Sequence, residues 1–138
     1  VCSDLSEIAT YAKVDNGDER MLKSLTPGPY TFLLNATHEV PRRLMHPKRR
    51  MIGIRVVSNP IVQAMLAELG QPIMSSTLIM PGKDMPETDA SEIRDLLEKQ
   101  VDLIIDGGNC GYEATTVINM VNGPTLVRQG KGTDHGLE

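Results

Sequence analysis

Residues 51–70 read Met51-Ile52-Gly53-Ile54-Arg55-Val56-Val57-Ser58-Asn59-Pro60, then IVQAMLAEL and Gly70. This stretch decides the fold class. Met51 to Val56 is short and rich in β-branched residues, so it predicts a strand with Arg55 at its end. Ser58-Asn59-Pro60 is a helix-start signal: a polar cap, then a proline in the first turn, where its missing N–H costs no hydrogen bond. The apolar run that follows predicts a helix, and Gly70 stops it because glycine enters the left-handed region at little cost. A strand that feeds directly into a helix is the repeating step of a sheet with packed helices.

The same alternation extends outward on both sides. Upstream, residues 3–10 predict a helix with Ser3 as N-cap, and residues 16–25 predict a second with acids in its first turn. Thr26-Pro27-Gly28-Pro29 ends that helix, and Tyr30 to Leu34 is a strand of β-formers. Pro41 to His46 predicts a helical turn with Pro41 at its first position. Downstream, Pro72 to Thr77 predicts a strand ending in Ser75, Ser76 and Thr77. Residues 81–90 are a loop. Residues 91–100 form a helix with Ile93, Leu96 and Leu97 on its apolar stripe. Val101 to Ile105 predicts a short buried strand, and Asp106 to Asn109 a turn. Thr115 to Met120 and Thr125 to Arg128 predict a hairpin around Asn122-Gly123. The expected class is α/β (α+β): one domain over residues 1–138, a twisted open mixed sheet with flanking helices.

Composition agrees and removes alternatives. The chain of 138 residues is 40% hydrophobic and 23% charged, ordinary for a folded domain. It has three Tyr, one Phe and no Trp. So few aromatics argue against single-strand nucleic-acid platforms, which stack bases on aromatic faces. No apolar run approaches a membrane span, so no membrane partner is expected. Cys2 and Cys110 form no CxxC and have no metal-ligand spacing with a histidine, which predicts free thiols in a reducing, cytoplasmic compartment.

Charge is uneven. The net charge is −4, yet Arg42, Arg43, Lys48, Arg49 and Arg50 fall within nine residues that contain no acid. Two readings are open for this patch: a contact for the phosphates of RNA, or a solvated loop. The predicted strand ends carry a second polar group: Arg55; Ser75, Ser76 and Thr77; Thr115 and Thr116; Arg128. Ligands of open α/β sheets bind just outside strand ends. Two guanidinium forks with hydroxyls suit a carboxylate and a phosphate. The plainer reading makes the threonines ordinary strand residues and the arginines solvated. Gly107-Gly108-Asn109-Cys110-Gly111 lacks the Lys-Ser/Thr of a phosphate-binding P-loop. Cys110 has no neighbouring base, and His46 reads as a surface residue of the basic stretch.

Five phrases in fixed order resemble the YrdC/YciO family, closest to its YciO branch. Thr26-Pro27-Gly28-Pro29-Tyr30-Thr31-Phe32 is similar to the family's W-P-G-P-L-T, and Ile52-Gly53-Ile54-Arg55-Val56 to V-G-V-R-x-P. Pro72 to Thr77 resembles P-L-x-S-T-S. Thr115 to Asn119 resembles S-T-V-V-D, and Leu126 to Gly130 resembles x-L-R-x-G. The resemblance implies a YrdC-like fold and L-threonylcarbamoyl-AMP synthesis from ATP, L-threonine and bicarbonate, in the service of tRNA modification. It implies that Arg55, Ser75 and Thr115 contact threonine. It also implies that Thr77 and Arg128 face ATP, with Mg²⁺ brought by the nucleotide.

The departures from the pattern shape the expectation. Ile79 stands where the family's S-x-N motif has Asn, Met51 where a Thr often precedes the strand arginine, and Asn119 where the strand ends in Asp. Nothing resembles the family's P-T-D-T and K-x-R segments. The chain also starts at Val1. The expectation is therefore the C-terminal two-thirds of the domain, with little or no synthase activity alone, and an open sheet edge that favours a homodimer. Two other functions stay open. One is binding of tRNA or double-stranded RNA through Arg42, Arg43, Lys48, Arg49 and Arg50. The other is a hydrolase or other nucleotide-dependent paralogue.

Overall fold

β1 (Tyr30–Asn35) is the strand around which the fold is built, and its six residues alternate between buried and half-buried. Tyr30, Phe32 and Leu34 face the core, while Thr31, Leu33 and Asn35 face the other way. On one side β1 pairs antiparallel with β2 (Met51–Ile54), Phe32 opposite Ile54 and Leu34 opposite Ile52. On the other it pairs parallel with β3 (Thr116–Asn119), Tyr30 opposite Thr116 and Phe32 opposite Ile118. β3 pairs antiparallel with β4 (Thr125–Arg128), with a register shift between Val117 and Ile118. The result is a mixed four-stranded sheet in the order β2-β1-β3-β4. It is open and flanked by helices, as the sequence predicts.

The computed structural model describes residues 1–44 and 48–138. By contacts the chain divides into one unit of Val1–Met74 with Ala114–Glu138 and a second of Ser75–Glu113. The first unit holds the sheet, α1 (Leu5–Tyr11), α2 (Asn16–Leu25) and α3 (Pro60–Leu69). Ile8 of α1 and Leu22 and Leu25 of α2 join Phe32, Leu34, Ile54 and Ile118 in a single apolar cluster. α2 carries a full capping box, Asp15 and Asp18 each accepting from the other's backbone N–H. Asn59 caps α3 through the N–H groups of Ile61 and Val62, and Gly70 ends it at φ 69°. The cap of α1 is Asp4 rather than Ser3. Asp4 accepts from the Glu7 N–H, and the Glu7 carboxylate accepts from the Ser3 N–H. The two bonds bracket the helix start, the Glu7 carboxylate reaching back past Asp4 to the residue before the cap.

The second unit contains one helix, α4 (Ala90–Leu97), capped by Asp89. The strands expected at 72–77 and 101–105 do not form, and neither segment joins the sheet. An apolar run becomes a strand only when a neighbouring strand takes up its backbone groups. Ile73 exchanges bonds with Val1 alone, and Met74 is 75% exposed. Val101 still donates its N–H to the Leu97 carbonyl as an extension of α4, and Leu103 beyond it is 76% exposed. Ser75, Ser76 and Thr77 therefore lie on irregular chain, not at a strand end. The turn expected at Pro41–His46 is a short 3-10 turn over Arg42–Leu44. Residues 45–47, His46 with them, lie outside the described residues. Among the described residues no helix is long and apolar enough to cross a membrane.

Candidate functional site

Strand direction gathers distant residues at one end of the sheet. β1 and β3 are parallel and begin there, while the antiparallel β2 and β4 finish there. Arg55 follows the Phe32–Ile54 pair by one residue, which brings it level with Thr31. It is half-buried between buried Ile54 and Val56, so alternation turns it to the face of Thr31 and away from the core. Thr115 precedes β3, and Arg128 closes β4 opposite Val117. The basic stretch lies in the β1–β2 connection at the opposite end of the sheet.

Arg128 is turned onto Thr115. Its Nε and Nη2 donate to the Thr115 carbonyl at 3.1 and 2.9 Å, and Nη2 also donates to the Thr115 Oγ1 at 3.1 Å. The Thr115 Oγ1 lies 2.7 Å from the Thr31 Oγ1. Arg55 is different. Its Nε is buried and has no hydrogen-bond partner. Burial holds its guanidinium below the usual arginine range, though an arginine stays charged at neutral pH. A buried donor without an acceptor costs about 1–3 kcal/mol, more when charged, which an acceptor ligand would recover.

The other residues singled out in the sequence fall elsewhere. Thr116 is fully buried, not part of an accessible site: its hydroxyl donates to the Gly132 carbonyl at 2.6 Å and accepts from the Gly130 N–H at 3.0 Å. Ser75 and Thr77 are exposed and belong to the second unit, while Arg55, Thr115 and Arg128 belong to the first. Arg42, Arg43, Lys48, Arg49 and Arg50 are all exposed. In the glycine-rich turn the Gly108 N–H donates to the Asp106 carboxylate at 2.9 Å. Cys2 and Cys110 are free thiols. No three His, Cys, Asp or Glu residues among those described are grouped to hold a metal ion. Sequence reasoning missed Thr31, whose signal was the alternation of β1: a hydroxyl placed on the face opposite Phe32.

Comparison with known proteins follows the same geometry. The family model for Sua5, YciO and YrdC, described as telomere recombination, matches residues 1–130. The Escherichia coli K12 protein YciO is 54% identical over 133 residues, covering 96% of this chain and 65% of YciO. Its crystal structure superposes with a TM-score of 0.91 over the same shares of the two chains. A Photobacterium profundum protein named threonylcarbamoyl-AMP synthase is 27% identical over 119 residues, covering 86% of this chain and 63% of that one. The P. abyssi Sua5 structure complexed with L-threonine shares the fold, with a TM-score of 0.81 at 24% identity, over 94% of this chain and 38% of Sua5. The chain thus spans under two-thirds of the length of these relatives. It belongs to the Sua5/YciO/YrdC family.

Proposed function

We propose that this chain supplies the carboxylate- and phosphate-binding half of a threonylcarbamoyl-AMP synthase-like site, acting on L-threonine and ATP. The observation that carries the reading is the buried, partnerless Arg55 Nε at the end of the sheet where register sets Arg55 level with Thr31, whose hydroxyl pairs with that of Thr115. A guanidinium fork matches a carboxylate and keeps its charge in a half-buried site. Relatives bearing the synthase name, and a Sua5 solved with L-threonine, support the same substrate class. Arg128 spends two of its three nitrogens on Thr115, which leaves Nη1 for a phosphate oxygen. Ser75 and Thr77 belong to the second unit and are not part of this proposed site. Mg²⁺ would come with the nucleotide's phosphates and neutralise their charge. The protein's own part is positioning and electrostatic stabilisation.

The test is calorimetric titration of L-threonine into the wild type and Arg55→Ala. Binding that weakens about 10- to 100-fold in the variant is expected from loss of a charge-assisted pair. Equal binding by both would overturn the assignment of Arg55. Pyrophosphate release from ATP, L-threonine and bicarbonate measures synthesis, and little or none is expected from these 138 residues by themselves.

A second reading rests on the exposed basic stretch, where four arginines and Lys48 stand clear of acids in sequence. There the ligand is structured RNA, and binding should fall steeply with salt, because releasing counterions gains less entropy as the bulk salt concentration rises. RNA affinity unchanged in Arg49→Ala/Arg50→Ala would remove it.

A further inference from the structure

We propose that Thr31 is a positioning residue, which fixes the Thr115 hydroxyl as a hydrogen-bond donor toward an acceptor oxygen of the bound ligand. The inference deepens the function proposed above and rests on that reading for its ligand.

The argument is a count of protons and lone pairs. A threonine hydroxyl has one proton and two acceptor positions, and a guanidinium only donates. The Arg128 Nη2 lies 3.1 Å from the Thr115 Oγ1 and so takes one of its acceptor positions. The Thr31 Oγ1 lies 2.7 Å away, and either oxygen of that pair can be the donor. If Thr31 donates, both acceptor positions of Thr115 are filled and its own proton is free for a third group. If Thr115 donates, its proton is spent on Thr31 and it can only accept. A carboxylate, carbonyl or phosphoryl oxygen selects the first arrangement. Thr31 is what makes that arrangement available, because Arg128 alone leaves the Thr115 proton without a fixed direction.

The surroundings of Thr31 hold it to this task. It sits within β1, bonded to strands on both sides, and is β-branched, so its χ1 is stiff. Its methyl packs against the bare backbone of Gly53. A Cβ added there would lie 3.3 Å from the Thr31 Cγ2 and 3.5 Å from the Leu33 Cδ2. The methyl is therefore seated on β2, with the hydroxyl turned to Thr115 on the β3 side. Arg128 is pinned as well, through its two bonds to the Thr115 carbonyl.

The experiment compares Thr31→Val, which keeps the shape and loses the proton, with Thr31→Ser, which keeps the proton. L-Threonine binding is measured by calorimetry and folding by the urea midpoint. The expected result is binding weakened about tenfold in Thr31→Val, near the worth of one hydrogen bond to a charged group, with Thr31→Ser close to wild type and both midpoints preserved. Equal binding by Thr31→Val and wild type would overturn the inference and leave the proposed function standing. So would an equal loss in Thr31→Ser, which would make the methyl the active part. If the wild type does not bind L-threonine, the proposed function falls, and acetate and inorganic phosphate become the probes. Weaker binding of either anion by Thr31→Val then supports the positioning role. Binding that does not change, or no anion binding by the wild type, overturns it.

Discussion

The two units of this chain carry similar apolar strings and do opposite things with them. In the first, Met51-Ile52-Gly53-Ile54 becomes β2 because β1 lies alongside to share its backbone bonds. In the second, Val101-Asp102-Leu103-Ile104-Ile105 joins no sheet. Every buried hydrophobic residue among those described belongs to the first unit, and none to Ser75–Glu113. Burial follows from what stands next to a segment, not from its hydrophobicity alone. The site follows the same division, since the residues with defined partners, Thr31, Thr115 and Arg128, are mounted on the sheet.

The sharpest way to break this contrast is a pair of truncations. Phe32 is fully buried and stacks with Tyr30 at a ring separation of 6.0 Å. Phe32→Ala should cost about 3–5 kcal/mol, as expected for emptying a core aromatic site. Leu103→Ala should stay within about 0.5 kcal/mol, the usual range for exposed positions. Urea denaturation measures both. A loss at Leu103 as large as that at Phe32 would show that the second unit has a core of its own.

Hydroxyls give a smaller version of the same test. Thr116→Val would strip the Gly130 N–H of its acceptor and remove one donor from the Gly132 carbonyl, which keeps Gln129 Nε2 at 2.8 Å. Leaving this partly buried N–H unmet should cost about 1–3 kcal/mol. Thr77→Val, on exposed chain of the second unit, should leave the urea midpoint unchanged.

This contrast also marks how far sequence reasoning reached. The caps and stops at Asn59 and Gly70, the hairpin at Asn122-Gly123 and the strand at Tyr30 are local signals, and they appear where expected. The order β2-β1-β3-β4 and the mixed pairing are products of long-range contact, which periodicity does not encode. That is also why segments 72–77 and 101–105 read as strands and are not. For the site, Arg55, Thr115 and Arg128 were legible as polar residues at strand ends. That Arg128 points onto Thr115 and Arg55 is left without a partner was not, because side-chain direction depends on neighbours from other strands. Thr116 shows the same limit: beside Thr115 in sequence it is chemically identical, and only burial separates clamp from site.

Helix caps offer a test that separates global from local stability. Asp15→Ala and Asp89→Ala each remove a side-chain acceptor from a first-turn N–H, worth about 1 kcal/mol. α2 contributes Leu22 and Leu25 to the core, so Asp15→Ala should lower the urea midpoint of the first unit. α4 has no buried residue, so Asp89→Ala should speed hydrogen exchange at residues 90–97 and leave the sheet amides as they were. Faster exchange across β1 in Asp89→Ala would mean that the two units open as one cooperative block.

The two thiols carry an effect that vanishes at neutral pH. Cys2 is buried in the first unit and Cys110 is exposed in the second. Burial pushes the Cys2 thiol up to about 11 from an ordinary value of 9.0. Below pH 9 the thiol is protonated in the folded and unfolded chains alike, so it gives stability no slope with pH. Between 9 and 11 the unfolded chain loses its proton first, the folded chain holds more protons, and stability falls as pH rises. Above about 11 the slope from this group ends. Cys2→Ala should flatten that decline in urea midpoints measured from pH 8 to 11, whereas Cys110→Ala should not alter it. A thiol reagent at pH 8 should modify Cys110 promptly and Cys2 only as the first unit opens, because the thiolate is the reactive form and burial withholds both proton loss and access. Equal labelling of the two would place Cys2 outside the core and undo the contrast at its N-terminal edge.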